Sequence, residues 1–251
     1  MMKKQVISVC FMLCAISNSN LVFAACDDAA QPSVNWANCD FPGKNLRDKD
    51  LSNAVLTGAN FTNADFSGAL LENADLNFAK LENARFDGAR MVNARLVAVK
   101  AQGASFKNAV LEKARFSRSI LNNTNFTAAK ADAANFYQAQ LQSANFTDAT
   151  LRQASFENSN LNLAVFDNAA LSQSTINNAR LHGTSFKKSN LTKVKFDESD
   201  CRDTDFTEAD LTKASFREAK IEESIFTGAI LKDTIWSDYK RCRSSSIGVC
   251  K

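Results

Sequence analysis

The chain has 251 residues, and its 30 Lys and Arg are nearly balanced by 27 Asp and Glu. A formal net charge of +3 excludes the strong field of one sign that would steer the protein to a polyanion or a polycation. Length alone is compatible with one large domain or with two small ones.

The N-terminus has the pattern of a secretory leader. Lys3 and Lys4 precede the apolar run "VISVCFMLCAI", which is followed by "NSNLVFAAC". The small residues Val22 and Ala24 predict cleavage after Ala24, so that residues 1–24 form a signal peptide. A membrane anchor is disfavoured because the apolar run is too short to span a bilayer and polar residues follow it. We expect an exported bacterial protein, periplasmic or secreted, with no membrane segment after loss of the leader and a net charge of 30 − 2 − 27 = +1.

The cysteines flank the rest of the sequence in two pairs. Export places the mature chain where disulfides persist. Cys26 and Cys39 lie close together near the start, and Cys242 and Cys250 lie close together at the end. Each pair predicts a short disulfide loop. Because Cys10 and Cys14 are removed with the leader, Cys201 is left as a free thiol.

An alternative interpretation takes "FAAC" as a lipidation signal at Cys26. Phe23 is a poor residue for such a signal. A lipidated Cys26 would also leave Cys39 without a partner, so the disulfide is preferred.

Between the two cysteine pairs the sequence repeats every five residues. Stepping by five from Phe41 to Trp236 gives (236 − 41)/5 + 1 = 40 positions without an insertion, and every one is apolar. A small residue stands two positions earlier from Ala54 to Thr234, and none of these is larger than valine. A repeat of this kind indicates a solenoid, in which each repeat packs on its neighbours.

A period of five fits neither a helix nor an extended strand. On an α-helix five residues advance about 500°, so the large side chains would spiral around the axis. On a strand an odd period would send them to alternate faces. The pattern instead predicts a coil that turns a corner in every repeat, with the small and the large residue both pointing inward. Asn and Gly are frequent at the second turn position (Asn53, Gly58, Asn63), where a positive φ is tolerated.

The segments "ANFTNADFSGA", "ADLNFAKLENA" and "EADLTKASF" carry the pattern A(D/N)LXX and resemble the pentapeptide-repeat family. The resemblance implies an all-β fold, a right-handed quadrilateral β-helix with four pentapeptides per coil. Residues 41–236 then form about ten coils. The flanks "WANC" and "SIGVC" resemble those of exported bacterial members, so residues 25–40 and 237–251 are assigned as N-terminal and C-terminal caps.

A four-repeat coil predicts that residues twenty apart stack on one wall. One ladder with this spacing consists only of phenylalanine: Phe66, Phe86, Phe106, Phe126, Phe146, Phe166, Phe186, Phe206 and Phe226. The opposite wall carries Phe116, Phe136, Phe156, Phe196, Phe216 and Trp236. The other two walls are almost purely aliphatic, and we expect the four walls together to fill the interior without voids.

The residue types needed for catalysis, for a cofactor or for a metal are scarce. His182, the single histidine, falls at a first turn position and is interpreted as a solvated corner residue. Cys201 occupies a large inward position and is interpreted as a small buried hydrophobe rather than a nucleophile. Asp203 and Glu223 should stack on one corner, where a weak Ca²⁺ site is the alternative to a solvated surface. Because Lys and Arg interleave with these carboxylates, we expect a charge-balanced surface, and a non-enzymatic protein without a cofactor.

A binding role is favoured over catalysis because solenoids offer long, regular faces. The walls are numbered in chain order from that of Phe41, so Leu51 and Leu56 stand on the third and fourth. Some outward positions on these two walls are apolar: Val55, Leu70, Phe78, Val92, Val97, Val110 and Tyr137. Basic residues share these walls: Arg90, Arg95, Arg115 and Arg118. We name these residues the candidate partner surface, an apolar patch with a basic rim that predicts a protein partner. The alternative is that they are scattered surface residues without a common role.

The stretch "KLENARFDGARMVNARL" has basic residues at a spacing of five, and the series runs from Lys80 to Lys100. Each stands just before a large inward residue, so successive members lie on successive walls. They should form a belt around the rod rather than a track for one phosphate backbone, with only Arg95 and Arg115 stacked on the same wall. We therefore expect no nucleic-acid partner.

The pentapeptide-repeat family also includes DNA mimics that bind type II topoisomerases, and this is the alternative function. A mimic of DNA needs a dense negative surface, and cytoplasmic members commonly dimerise through a C-terminal helix. The near-neutral charge, the leader and the ending "RCRSSSIGVCK" argue against it. The preferred interpretation is a rigid scaffold or protein-interaction rod, which is monomeric or associates end to end.

Overall fold

The structure, a computed structural model, describes residues 25–251. The leader assigned to residues 1–24 lies outside this range. Within it there is no helix and no strand longer than one residue. The backbone instead repeats a five-residue cycle: a large inward residue, two turn residues, a small inward residue and an outward residue in a β-bridge. This cycle already runs through residues 31–40, which the sequence analysis places in the N-terminal cap, and continues to residue 235.

The bridges are parallel and join residues twenty apart, from Asn35–Val55 to Ser215–Ile235. One coil therefore takes four pentapeptides, as the ladder of phenylalanines predicted. The outward residue donates its N–H to the preceding coil and the next residue donates to the following coil, as in Asn145 N to Thr124 O (2.9 Å) and Phe146 N to Val165 O (2.7 Å). Because turns take two residues of every five, each coil contributes a single bridge residue to a wall rather than a longer strand.

The second turn residue adopts a left-handed backbone in repeat after repeat. Asn53 has φ of 59° and Gly68 has φ of 71°. Asn is frequent here because its short amide tolerates this conformation. Phe78 and Leu163 are large apolar exceptions, with φ of 61° and 60°. A turn of this kind points its side chain away from the core, so both become corner residues.

The preference for Asn or Asp at the outward position has a hydrogen-bonding cause. The N–H of the first turn residue has no backbone acceptor in the neighbouring coil. The side chain of the outward residue, which stands two positions earlier in the chain, supplies an acceptor instead. Asn145 Oδ1 accepts the N–H of Thr147 at 2.9 Å. Elsewhere an amide of the preceding coil does so, as Asn162 Oδ1 does for the N–H of His182 at 3.1 Å. The A(D/N)LXX pattern thus satisfies the donor that the turn leaves over.

The predicted inward register is confirmed. Every large position from 46 to 216 is buried. The Phe146 ring stacks on Phe126 and Phe166 with centroids 4.6 and 4.7 Å away. Phe156 of the opposite wall meets it edge to face at 5.7 Å. The two aromatic ladders therefore interlock along the rod, an arrangement that aromatic quadrupoles favour.

Several small inward residues are Ser or Thr, and a buried hydroxyl needs an acceptor. The Ser119 hydroxyl donates to Leu96 O at 2.7 Å, and the Thr204 hydroxyl donates to Leu181 O at 2.9 Å. These carbonyls belong to the coil below, so the hydroxyls stitch adjacent coils together. The repeat pattern predicts only that these positions are small, and it does not indicate their hydrogen bonds.

The N-terminal end is closed by a disulfide and a lysine. Cys26 and Cys39 are bonded, and Cys39 and Trp36 occupy inward positions. The small-residue rule does not extend to this first coil, where Lys44 and Lys49 stand at the corresponding positions. Lys44 Nζ lies 3.8 Å from the centroid of the Phe41 ring, so its ammonium covers the aromatic end of the core.

The C-terminal end is partly covered by a short returning segment, residues 240–251, which we name the C-terminal flap. It runs antiparallel over the last coil through the bridges Ile235–Arg241 and Ile230–Ile247. The disulfide Cys242–Cys250 closes it into a loop. Both disulfides predicted from the sequence are therefore present. Across residues 25–251, no helix has the length and apolar character of a membrane span.

Candidate functional site

The candidate partner surface is assembled by the stacking of coils. Leu70, Arg90 and Val110 are joined by consecutive bridges on one wall. Val55 lies in the neighbouring outward column, which continues through Asp75 to Arg95 and Arg115. The residues thus lie on two adjacent walls, as the register predicts.

Exposure within this surface is uneven. Phe78 is 63% exposed and Val55 is 39% exposed. The remaining five apolar members are half-buried: Leu70, Val92, Val97, Val110 and Tyr137. Phe78, held outward by its left-handed turn, is thus the most prominent apolar side chain of the group.

The basic rim is partly neutralised by neighbours on adjacent coils. Arg90 Nε lies 2.7 Å from Glu72 Oε1, and Arg95 Nη1 lies 3.6 Å from Asp75 Oδ2. Arg118 Nε donates to the Gln138 side chain at 3.3 Å. No salt bridge of Arg115 occurs among the described residues. Arg115 lines a shallow recess together with four neighbours: Asn73, Asn93, Arg95 and Lys113.

The belt of basic residues also follows the register, with one correction. All five members of the series occupy bridge positions, one wall after another. Lys80 and Lys100, which are twenty residues apart, are joined by a bridge in the same way as Arg95 and Arg115. The expectation that only the arginine pair stacks was therefore wrong, because the series spans a full coil and returns to its first wall.

Most of the exposed large apolar residues lie outside the candidate partner surface. They are Leu163, Ile225, Ile230, Tyr239, Ile247 and Val249, between 43% and 65% exposed. Apart from Leu163 they cluster near the C-terminal end. The signal was available, since Ile225 and Ile230 stand at outward positions of the repeat where polar residues are usual.

The two residues considered for catalysis are far from reactive settings. His182 Nδ1 lies 3.0 Å from Asp203 Oδ2, with side chains that are 59% and 41% exposed. Cys201 is fully buried on its wall, and burial, with a smaller contribution from the Asp200 charge, raises the pKa of its thiol far above the ordinary value. A thiol held in its neutral form is a poor nucleophile.

Asp200, near the carboxylates considered for a Ca²⁺ site, is paired with a cation. Arg202 donates from Nε to Asp200 Oδ1 at 2.7 Å and from Nη2 to Asp200 Oδ2 at 2.5 Å. This hydrogen bonding holds the pKa of the Asp200 carboxyl below its ordinary value. Within residues 25–251, no three His, Cys, Asp or Glu side chains are grouped so that they could hold a metal ion.

This pair predicts a pH-dependent contribution to stability. Because the pKa of Asp200 is depressed in the folded chain from 3.8, the stabilisation is present above that value and is lost as the pH falls through the folded pKa. Replacing Arg202→Gln should raise the pKa of Asp200, measured by NMR titration of its carboxyl carbon. The variant should melt lower than the parent at about pH 6, with the difference fading at about pH 2. An unchanged Asp200 pKa would show that the bidentate contact does not persist in solution.

Sequence models of one family match nearly the whole repetitive region. The model described as pentapeptide repeats (8 copies) matches residues 35–73, 50–88 and 74–112. The model described as pentapeptide repeat region matches residues 99–175 and 154–226. The matches join into one range, 35–226. No curated protein sequence gives a significant match to the chain.

Solved structures of similar sequence are pentapeptide-repeat proteins. HetL of the cyanobacterium Nostoc sp. strain PCC 7120, involved in heterocyst differentiation regulation, is 23% identical, with a TM-score of 0.48 over 84% of this chain and 92% of that one. Full-length QnrB1, a plasmid-mediated fluoroquinolone resistance protein, is 19% identical, with a TM-score of 0.43 over 76% and 92%. A protein of the Arabidopsis thaliana thylakoid lumen is 36% identical, with a TM-score of 0.29 over 41% and 68%. Scores this low carry no argument about shape, so the family assignment rests on the sequence models.

Proposed function

The chain belongs to the pentapeptide-repeat family, and we propose that it is a non-enzymatic, exported interaction rod that holds a protein partner on its third and fourth walls. The rod is a right-handed quadrilateral β-helix of about ten coils. Its interior is fully occupied by side chains, so the available chemistry lies on the outer surface.

Export is proposed from the leader pattern and supported by the two disulfides. A disulfide persists in an oxidising compartment and is rare in the cytosol of mesophiles. Cys26–Cys39 and Cys242–Cys250 lie at the two ends of the rod, where the stacking of coils stops. Cys26 in a disulfide is also unavailable for lipidation, which supports the proposal of a periplasmic or secreted protein.

The alternative of DNA mimicry finds no support in the surface. Basic residues interrupt the acidic ones along the walls, and several carboxylates contact cations, as Asp65 does with Arg47 at 3.0 Å and Asp205 with Lys187 at 3.2 Å. Such alternation of sign suits a protein partner better than the imitation of a phosphate backbone.

The observation that carries the proposal is the exposure of Phe78. Its aromatic side chain is 63% exposed at a turn position where Asn and Gly are usual. The exposed apolar surface is unfavourable in water, and the side chain adds nothing to the packing of the core. Aromatic anchors next to arginine are typical of the residues that dominate protein interfaces. Arg118, forty residues further along the same corner, and Val55 on the same wall provide the surroundings of such an anchor.

The proposal predicts that Phe78→Asp abolishes partner capture. The experiment is chemical crosslinking and pull-down from the native envelope fraction with tagged protein, with captured proteins quantified by mass spectrometry. At least one partner should be enriched by the parent and reduced about tenfold or more by the variant, as expected for the loss of an interface anchor.

Leu163→Asp is the matched control. Leu163 occupies the same turn position, with φ of 60° and 59% exposure, but lies outside the candidate partner surface. Capture should be unchanged in this control. Equal capture by parent, Phe78→Asp and Leu163→Asp would exclude the third and fourth walls as the partner site.

A further inference from the structure

The C-terminal end of the rod is only half covered. The flap lies over the walls of Leu231 and Trp236, where it accepts their N–H groups at Ser246 O (3.0 Å) and Lys240 O (2.7 Å). The other two walls of the last coil, those of Ile221 and Phe226, have no bridge partner above them among residues 25–251, and Gly248 of the flap reaches only the corner that follows Phe226. The end surface therefore has a raised half and a recessed half, which differ in height by one strand spacing, about 4.8 Å.

The recessed half presents unpaired backbone groups. In earlier coils the large residue donates its N–H to the following coil, and the small residue accepts from it. In the last coil the N–H groups of Ile221 and Phe226 and the carbonyls of Ala219 and Ser224 have no partner within the described chain. These are the donors and acceptors of two bridges, and an open β-edge of this kind is a template for another chain.

Apolar side chains surround the same edge. Ile221 and Phe226 are half-buried, whereas the large positions from 46 to 216 are buried. Ile225 and Ile230 are 46% and 43% exposed on the last coil. On the flap, Ile247 and Val249 are 62% and 65% exposed, so the last coil and the flap both carry exposed apolar side chains.

The two halves also carry opposite charge. The flap contains four basic side chains and no acidic one: Lys240, Arg241, Arg243 and Lys251. The recessed half has adjacent carboxylates at its corner, Glu222 and Glu223, both exposed. No salt bridge joins either glutamate, Arg241 or Arg243 to another residue of the described chain. The unpaired charges of one half thus match those of the other.

We propose that the C-terminal end binds the C-terminal end of a second copy of this chain. A two-fold axis along the boundary between the halves places the flap of each copy on the recessed walls of the other. The raised half of one copy then meets the recessed half of the second copy, so that the same surface of both copies forms the interface. The two flaps then lie side by side in one layer. They supply bridge partners to Ile221 and Phe226, bring basic side chains to Glu222 and Glu223, and reduce the exposure of the apolar residues on the last coil and the flap.

The first test is the association state of the oxidised protein by sedimentation velocity over a concentration series. We expect a reversible dimer, with an affinity that Ile247→Asp weakens by about tenfold or more. Leu163→Asp, equally exposed at the side of the rod, should dimerise like the parent. A parent that remains monomeric at about 200 μM, or a dimer insensitive to Ile247→Asp, would overturn the proposal.

A charge exchange tests the arrangement itself. Glu222→Lys with Glu223→Lys should weaken the dimer, and so should Arg241→Glu with Arg243→Glu, because each places like charges together. The chain carrying all four changes should dimerise again. Failure of this chain to recover, with its melting temperature and disulfides intact, would exclude the pairing of flap and recessed half.

Discussion

Replacing Phe146→Asp is expected to destabilise the rod by at least about 4–5 kcal/mol, the largest effect of any single change at a central coil. The ring is fully buried and stacks on Phe126 and Phe166, while Phe136 and Phe156 meet it edge to face at 5.7 Å. The substitution therefore removes contacts on two walls and leaves a carboxylate with no cation nearby. Thermal unfolding followed by circular dichroism should show a midpoint about 10–20 °C lower.

Two control variants separate the effect of losing the buried ring from the effect of adding a negative charge. Phe146→Leu keeps an apolar side chain and should cost about 1–3 kcal/mol, because the Leu side chain fills less of the same space. Gln142→Asp adds the same charge at an exposed turn position of the same coil and should change stability by less than about 0.5 kcal/mol. A midpoint for Phe146→Asp equal to that of Gln142→Asp would contradict the inward register.

Removal of the C-terminal disulfide, by Cys242→Ser with Cys250→Ser, is expected to loosen one end of the rod and leave its centre intact. The bond closes a loop with a sequence separation of 8 and holds the flap over the last coil. Loss of this constraint should cost about 2–3 kcal/mol locally. Because each coil contacts only its neighbours, the cost does not spread along the solenoid.

Hydrogen exchange measures this difference directly. The amides of Leu231, Trp236, Cys242 and Gly248, which bond between flap and last coil, should exchange roughly 30- to 150-fold faster. The amide of Phe146 should keep its protection, and Cys26→Ser with Cys39→Ser should leave the four C-terminal amides unchanged. Uniform loss of protection along the chain would show that the rod unfolds as a single unit instead.

The sequence was sufficient for the architecture because one period controls it. Registering the repeat on Phe41 placed Phe146 inside, Asn53 in a left-handed turn and His182 on a corner, and the structure agrees at each position. A five-residue repeat leaves few ways to satisfy both the backbone hydrogen bonds and the burial of one large residue.

The ends were less predictable because the period stops there. Nothing in the pattern indicates that the flap turns back antiparallel, or that it covers the walls of Leu231 and Trp236 and leaves that of Phe226 open. The ammonium of Lys44 over Phe41 was likewise missed, since a lysine at a small inward position is compatible only with the open first coil. The partner surface was chosen by residue type alone, which identifies Phe78 but not the pairing of Arg90 with Glu72.

The bridges join residues twenty apart. The distance between two groups along the rod and the direction in which each group faces are therefore separate properties of the outer surface. Gain or loss of twenty residues leaves every later side chain on its own wall and changes the length of the rod by one coil, about 4.8 Å. Gain or loss of five residues instead turns every later wall by one side of the square. The separation between two binding groups and the angle between them can thus change independently during evolution, the first in whole coils and the second in single pentapeptides.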